Sequence, residues 1–415
     1  MEARSSTYQK FKTLNDPVYG FVHIPEGLLA NLMEHPWMQR LRRISQTALT
    51  YLVYPGATHT RFHHALGATH ITRQAISVLR QKGHDISEEE EEGVLIAIML
   101  HDIGHGPFSH TLEHTLINVH HEDISLLFMH ALNQQYNGKL DLAISIFNNT
   151  YNKPFLHQLV SSQLDMDRLD YLRRDSFFTG VSEGMVNTER LISMLNVANG
   201  QLVVDAKAVY SIEKFLVARR LMYWQVYLHK TVLSAEYLLV RILERARFLS
   251  EAGEEVPCSE ALHYMINNRL SVEQLSGKLD LYARLDDVDI LSAIKGWMSH
   301  SDAMLAELSR RLIDRDLLKV RLRDQPFSLE EVDAYKLRAK KALGLPDVAM
   351  SYVVFSGAIE NRAYNTETVS ISLLESDGSI TPIADDAHIM DIQAFSRTFR
   401  QYYLCYPAGG KKNVK

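Results

Sequence analysis

A run of seven apolar residues, Val94 to Leu100 (VLIAIML), limits most strongly how this chain can fold. Ser87 and the five glutamates of residues 88–92 precede it. A serine cap, acidic residues in the first turn and Glu90 at the capping-box position are typical of a helix N-terminus. The segment therefore predicts a buried helix, and the fold must accommodate the polar sequence HDIGHGPFSH that follows it at residues 101–110.

Histidine is concentrated around this helix, with twelve of the 19 histidines lying between residues 59 and 130. Such clustering indicates a metal or catalytic site. His101 and Asp102 are adjacent at the end of the predicted helix, and an imidazole–carboxylate pair suits a hard or borderline metal ion. The glycines at positions 104 and 106 predict a tight turn that returns His105 and His110 to the same place.

Two further segments supply matching residue types. TRFHHALG places His64 at the start of a helix, and QLDMDRLDYLRRD places Asp167 on another. Taken singly, the first could be a polar helix start and the second an ion-paired surface. Together they give the order H…HD…D, and four nitrogen and oxygen ligands from different helices, without cysteine, predict a metal site in a helical bundle.

Composition excludes several other classes of protein. With 46% hydrophobic and 23% charged residues, 415 residues can bury one large core plus a smaller unit. The net charge of −6 gives no general attraction to nucleic acid or to an anionic membrane. Two distant cysteines, no N-terminal apolar segment and no run approaching the roughly 20 residues of a membrane span predict a soluble, cytoplasmic protein.

The predicted fold is mostly α. Residues 1–250 form a helical domain with one helix from about Pro25 to Ala48 and a very long helix or kinked pair over 205–250. Residues 251–345 form a helical extension. Residues 346–415 form a small α+β unit, with strands in SYVVFSG, VSISLLE and SITPIA, a helix near 388–400, and YYLCYP.

The joint pattern of His64, His101-Asp102 and Asp167 resembles the HD phosphohydrolase superfamily. HDIGHGPFSH, NDPVYG, QRLRRISQ, YPGATHTRFHHALG and DMDRLDYLRRD resemble its branch of SAM-and-HD-domain dNTP triphosphohydrolases and their bacterial relatives. The resemblance covers roughly residues 12–245. It implies an HD-domain helical bundle and a phosphohydrolase activity.

By this resemblance, His64, His101, Asp102 and Asp167 bind a divalent transition metal (iron, manganese, nickel or zinc), with magnesium on the substrate phosphates. The implied catalytic residues are His105, His110, Glu113 and His121, of which His110 and Glu113 form a dyad. The implied substrate contacts are Gln46, Arg61, Arg168, Tyr171, Asp175, Arg219, Tyr223 and Tyr227.

The resemblance also implies an activating nucleotide, bound at a subunit contact of a dimer or tetramer by Lys12, Asn15, Glu34, Gln39 and Arg42. An ordinary turn and an ion-paired helix face would explain these residues equally well. Three positions depart from the animal members. Thr47 replaces a leucine beneath the sugar, Tyr223 replaces a histidine, and Glu34 replaces an aspartate that reads guanine.

The implied reaction converts a deoxynucleoside triphosphate to deoxynucleoside and tripolyphosphate. One alternative is hydrolysis of another nucleotide, such as a monophosphate, a cyclic nucleotide or an alarmone. No GYP-type motif accompanies the HD pair, which argues against cyclic dinucleotides. The other is a non-catalytic oligomer that senses nucleotides.

The long helix carries four residues that are spaced to share one face, namely Arg219, Tyr223, Tyr227 and Lys230. This spacing predicts a wall of the nucleotide site.

Overall fold

The structure is a computed structural model that describes residues 10–113, 115–344, 346–361, 371–386 and 399–408. It is mostly helical, as predicted. The helices are α1 Leu28–Glu34, α2 Pro36–Arg40, α3 Arg61–Gln81, α4 Glu88–Leu100, α5 His110–Glu113, α6 His121–Gln135, α7 Asp141–Phe147, α8 Pro154–Val160, α9 Met166–Thr179, α10 Thr188–Ser193, α11 Val209–Met222, α12 Lys230–Glu251, α13 Glu260–Asn267, α14 Val272–Ser276, α15 Leu279–Tyr282, α16 Asp287–Trp297, α17 Ala303–Ile313, α18 Leu329–Leu343, α19 Met350–Val353 and α20 Ile383–Asp386.

The strands form three small sheets. The strands are β1 Phe11–Asp16, β2 Gly20–Pro25, β3 Leu195–Ala198, β4 Gln201–Asp205, β5 Lys319–Arg323, β6 Phe355–Asn361, β7 Ser372–Leu374, β8 Ile380–Pro382 and β9 Phe399–Tyr406. Their order is β1-β2 in the first sheet, β3-β4-β7-β8 in the second and β5-β9-β6 in the third.

The apolar helix α4 lies in the core, as predicted. Glu90 N donates to Ser87 Oγ over 3.1 Å, and Ser87 N donates to the Glu90 carboxylate over 2.8 Å, which completes the capping box. Every residue from Val94 to Leu100 is buried between neighbouring helices that include α3 and α7. Because each large apolar side chain contributes about 1.5–3 kcal/mol on burial, this helix anchors the residues at its C-terminal end firmly.

The prediction of one helix over Pro25–Ala48 is wrong. The chain forms α1 and α2 instead, with His35 in extended conformation between them at φ −61° and ψ 138°. Pro36 is the cause, because a proline disfavours helical geometry at the preceding residue and is itself well suited to a first helical turn.

The long helical segment before residue 250 is a kinked pair, one of the two predicted arrangements. Helix α11 passes into a π-helical turn over Tyr223–Tyr227, and α12 starts after His229, whose ring accepts a hydrogen bond from Thr231 N. Kinks at such turns have a local cause in the altered hydrogen-bond ladder.

Two strand regions lie where the sequence predicts helix. Strands β3 and β4 form a hairpin around Asn199 and Gly200, both at positive φ of 53° and 74°. Asn-Gly is the usual sequence of a tight hairpin turn, so this signal was present and missed. Strand β5, KVRLR, alternates polar and apolar residues after α17 ends, which is the period of a strand.

The C-terminal strands extend sheets begun earlier in the chain. Strand β7 pairs in parallel with β4, and β9 lies between β5 and β6. The strand predicted to start at Ser351 starts at Phe355, after the short helix α19. Residues 388–398 of the helix predicted near 388–400 lie outside the described part of the chain, and residues 399–400 begin β9. The division into domains stays a prediction.

Within the described ranges, we find no helix with the length and apolar character needed to cross a membrane.

Candidate active site

Helices α3, α4 and α9 bring together the four residues predicted to bind a metal ion. His64 lies in α3, His101 ends α4, Asp102 follows it, and Asp167 lies in the first turn of α9. His64 Nε2 is 3.4 Å from His101 Nε2 and 3.1 Å from Asp167 Oδ1. Asp102 Oδ1 is 3.4 Å from His101 Nε2.

The hydrogen bonds on the far sides of the two rings suit metal binding. His101 Nδ1 lies 2.6 Å from the Ile98 carbonyl oxygen, and His64 Nδ1 lies 2.8 Å from Asp170 Oδ2. Each Nδ1 therefore carries the proton and each Nε2 faces the centre, as in metal-ligating histidines. Ligand atoms of His64, His101 and Asp167 lie within 4.8 Å of one another, so this nitrogen and oxygen set fits a divalent metal ion.

Charge in this centre is balanced between the carboxylates and their neighbours. Burial lowers the pKa of His64, but hydrogen bonds to Asp167 and Asp170 outweigh it and raise the pKa to about 10. The same carboxylates favour positive charge at Nε2, where a bound metal ion would take the place of the proton. Burial would raise the pKa of Asp102, but the Arg61 guanidinium and His101 lower it overall. Arg61 forms an ion pair with Asp102 and donates to Ser109 Oγ over 2.6 Å, which brings a fixed positive charge beside the metal ligands.

The four residues predicted as catalytic form a cluster next to the predicted metal ligands. Glu113 Oε2 lies 3.0 Å from His110 Nδ1, and Glu113 Oε1 lies 2.9 Å from His121 Nδ1. The His105 and His121 rings stack at 3.8 Å, and His105 Nε2 lies 3.3 Å from Asp102 Oδ1. Burial would raise the pKa of Glu113, but hydrogen bonds from His110 and His121 hold it well below its usual range.

The glycines of the HDIGHGPFSH loop act differently from the prediction. Neither Gly104 nor Gly106 has a positive φ; Phe108 and Ser109 adopt that conformation, at 51° and 48°. A Cβ at Gly104 would lie 2.3 Å from the His121 carbonyl oxygen, so glycine is required there for close packing against α6. A turn that holds two L-residues in the left-handed region needs support from the surrounding structure.

Two buried residues that the sequence did not reveal supply that support. Arg40 donates to the carbonyl oxygens of Ile103, His105 and Leu285 over 3.3, 2.7 and 2.8 Å. Asp287, at the start of α16, accepts from Phe108 N over 2.7 Å and from Ser45 N over 2.8 Å. The helical extension therefore holds the loop that carries the histidines. No local signal marks these residues, because their partners are far away in the sequence.

All eight predicted substrate contacts line one cavity of about 630 Å³, which is also lined by the predicted metal ligands Asp102 and Asp167. The cavity is also lined by Thr47, His105, His110 and His121, by Thr111 of α5 and by Glu236 of α12. Three of the predicted contacts have a buried polar atom without a hydrogen-bond partner in the described structure, namely Gln46 Oε1, Arg168 Nε and Arg219 Nε. A buried polar atom without a hydrogen bond destabilises the folded state unless a ligand or a water molecule supplies the missing partner.

The π-helical turn determines which residues of the long segment face this cavity. Tyr223 and Tyr227 line it with their rings 5.1 Å apart, and Tyr227 donates to Asp175 over 2.5 Å. Asp175 also lies 2.7 Å from His59 Nε2. Lys230 is exposed and does not line the cavity, so the predicted common face is wrong for this residue. The break at residues 228–229 is the reason, because it interrupts the helical spacing.

The five predicted regulatory residues lie on β1, α1, α2 and the turn after α2. Lys12 forms an ion pair with Glu34, and Arg42 Nε donates to Gln39 Oε1 over 2.7 Å. The Arg42 guanidinium also stacks on the Phe62 ring at 3.7 Å. Asn15 is exposed on β1 and pairs with Phe21 in the hairpin register. Four of the five residues therefore form two contacting pairs, Lys12 with Glu34 and Gln39 with Arg42.

Comparison with known proteins agrees with this architecture. The HD domain model matches residues 61–175, and the HD associated region matches residues 186–256. The protein YwfO of Bacillus subtilis, itself uncharacterized, is 32% identical over 95% of this chain and 92% of its own length. A crystal structure of a phosphohydrolase from Bacteroides thetaiotaomicron superposes with a TM-score of 0.93 and 46% identity, over 96% of this chain and 100% of that chain.

More distant relatives have a named activity. A deoxynucleoside triphosphate triphosphohydrolase SAMHD1 homolog from Dictyostelium discoideum is 26% identical over 75% of this chain and 68% of its own length. The HD domain match spans His64, His101, Asp102 and Asp167, and the full-length similarities extend over the other segments of the chain. The chain belongs to the HD phosphohydrolase superfamily.

Proposed function

We propose that this protein is a metal-dependent nucleotide phosphohydrolase that cleaves deoxynucleoside triphosphates into deoxynucleoside and tripolyphosphate. One observation carries the proposal: the cavity joins the metal ligands to a wall with Arg61, Arg168 and Arg219. Three guanidinium groups beside a metal centre suit a polyphosphate. The unpartnered nitrogen atoms of Arg168 and Arg219 are two of the positions at which phosphate oxygens would bind.

His64, His101, Asp102 and Asp167 would hold the metal, which we expect to be iron, manganese, nickel or zinc, with magnesium on the phosphates. Such an ion, when bound, lowers the pKa of water and polarises a phosphoryl oxygen. His110 is oriented by Glu113 and would protonate the leaving oxygen. His105 and His121 stack beside it, where hydrogen bonds to phosphate oxygens would stabilise developing charge.

Tyr171, Tyr223 and Tyr227 form an aromatic wall in the same cavity, and Gln46 contributes an unpartnered amide oxygen. These groups suit the sugar and base of a nucleotide. Thr47 is smaller than the leucine of animal relatives and adds a hydroxyl, so we expect discrimination between deoxyribose and ribose to differ from theirs.

A nucleotide panel tests the proposal. Metal-loaded protein is incubated with each deoxy- and ribonucleotide, singly and in pairs, and the products are separated by anion-exchange chromatography. We expect deoxynucleoside and tripolyphosphate from deoxynucleoside triphosphates. Release of inorganic phosphate from monophosphates, or hydrolysis of an alarmone, would assign a different phosphohydrolase activity. Binding without any product would favour a nucleotide-sensing oligomer.

We also propose that the protein is a homo-oligomer activated by a second nucleotide, bound by Lys12, Asn15, Glu34, Gln39 and Arg42. Support comes from the resemblance to dNTP triphosphohydrolases and from the exposed positions of Lys12, Asn15 and Arg42. Arg42→Ala should abolish stimulation by nucleotide mixtures, or assembly measured by light scattering, while metal content is retained. A monomer with hyperbolic kinetics that ignores both added nucleotides and Arg42→Ala would contradict this.

A further inference from the structure

A relay of hydrogen bonds between buried charged side chains runs from the turn of the N-terminal hairpin to the predicted metal ligand His64. The relay consists of Asp16, Arg174, Asp170 and His64. Asp16 Oδ2 accepts from Arg174 Nη1 over 2.7 Å. Arg174 Nε and Nη2 donate to the two oxygens of Asp170 over 2.9 and 3.0 Å. Asp170 Oδ2 in turn lies 2.8 Å from His64 Nδ1. Asp16 is in the NDPVYG turn, more than a hundred residues from Arg174 in sequence.

The side chains of this relay are buried, and a glycine leaves space for them. The side chains of His64, Asp170 and Arg174 are 0% exposed, and that of Asp16 is 2% exposed. Gly67 lies one helical turn after His64 in α3, and a Cβ there would stand 2.0 Å from both Arg174 Nη2 and Asp170 Oδ1. A glycine inside a helix costs about 0.5–1 kcal/mol relative to alanine. At this position it leaves the space that the arginine–aspartate pair occupies.

Asp16 is suited to fix the position of Arg174. Its Oδ1 accepts from Val18 N and Tyr19 N, each over 2.9 Å, so the carboxylate is held by the turn. Its other oxygen holds one arm of the guanidinium, and the planar fork of arginine then fixes the Asp170 carboxylate. The orientation of Asp170 determines where the His64 ring points, because a ligand's outer hydrogen bond sets its tautomer and orientation.

We propose that Asp16 is a positioning residue for the metal centre, acting through Arg174 and Asp170 on His64. The inference rests on the metal site of the proposed function. The exposed strand β1 that ends at Asp16 also carries Lys12 and Asn15, so the relay joins this strand directly to the metal ligands.

Cobalt binding to the purified full-length protein tests the proposal without any assay of activity. Co²⁺ is titrated into metal-free protein while its visible absorption spectrum, which reports ligand geometry, is recorded. Asp16→Asn removes one acceptor and turns an amide NH₂ group toward a donor. We expect Kd for Co²⁺ to rise about tenfold or more, the usual effect of losing an outer-shell partner, with a changed spectrum of the bound ion. Asp16→Glu, which keeps the charge, should recover part of the affinity.

Asp302→Asn is the matched control. Asp302 also accepts from a backbone amide, Leu305 N at 2.8 Å, and from two nitrogens of Arg245, but neither Asp302 nor Arg245 lines the cavity. We expect this variant to bind Co²⁺ as the wild type does. If Asp16→Asn does not fold, Arg174→Lys replaces it, because lysine keeps the charge and lacks the fork. Wild-type affinity and spectrum in the relay variant, or equal loss in Asp302→Asn, would overturn the relay. Failure of wild-type protein to bind Co²⁺ would instead overturn the metal site itself.

Discussion

Glu113 holds His110 and His121 by one carboxylate oxygen each, so a single side chain orients two catalytic candidates. His110→Ala and Glu113→Ala should each lower kcat by about 100-fold or more, the usual scale for an acid–base group. Metal content should change little, since neither residue belongs to the proposed metal site, and nucleotide affinity should change little because the eight predicted substrate contacts remain. Steady-state kinetics measure kcat and KM, and plasma emission spectrometry measures metal content. Wild-type turnover in either variant would remove the dyad from the mechanism.

Glu236 makes the charge of the cavity depend on pH near neutrality. It lines the cavity, and burial raises its pKa to about 7, although a hydrogen bond to Thr111 opposes the shift. Above pH 7 the carboxylate is ionised and repels an anionic substrate. KM of the wild type should therefore rise with pH between 6 and 8 by a factor on the order of three, and Glu236→Gln should flatten that rise. Parallel KM profiles in the two proteins would show that Glu236 does not face the substrate.

Among single residues, the sequence predicts those whose chemistry is evident from their immediate neighbours. His101 and Asp102 follow a capped apolar helix, so their placement is determined by α4. Arg40, Asp170 and Asp287 are different, because each acts through a partner that the chain brings close only after folding. Their sequence neighbourhoods resemble ordinary charged helix surfaces.

Helix α16 belongs to the helical extension, yet it supports the histidine loop through Asp287. Asp287→Asn should leave one of two backbone amides, Ser45 N or Phe108 N, facing an NH₂ group, which costs about 1–3 kcal/mol. We expect a lower Tm, faster hydrogen exchange at residues 106–109 and reduced kcat. Asp280→Asn, at an exposed position of α15, is the control and should behave as the wild type. Unchanged exchange of the loop in Asp287→Asn would contradict this role.

At the element scale, helices with strong end signals are predictable and short strands are not. Ser87 and Glu90 mark the start of α4 unambiguously, whereas β3 and β4 have only four and five residues. The Asn199-Gly200 turn was their one clear signal. Pro36 was similarly decisive for the break between α1 and α2. In each case a local rule opposed a longer helical pattern, and the local rule determined the structure.

At the scale of the whole molecule, the late segments of the chain complete sheets and loops of the earlier ones. Strand β7 joins the β3–β4 hairpin, and β9 joins β5. Such long-range pairing has no signature in a single sequence. The presence of strands in the C-terminal unit was therefore predictable, but their pairing partners were not. The proposed metal centre would depend on the same integration, because its predicted ligands come from α3, α4 and α9 and the residues proposed to support it come from the hairpin and α16.

Metal content per chain shows whether His64, His101, Asp102 and Asp167 hold an ion. Plasma emission spectrometry of the purified wild type should find one tightly held transition metal ion, and both Asp102→Ala and Asp167→Ala should lose it while their circular dichroism is retained. Asp175→Asn, which alters another buried carboxylate of α9 without touching a metal ligand, should keep it. Unchanged metal content in both Asp102→Ala and Asp167→Ala would contradict the assignment of the site and the hydrolytic function proposed from it.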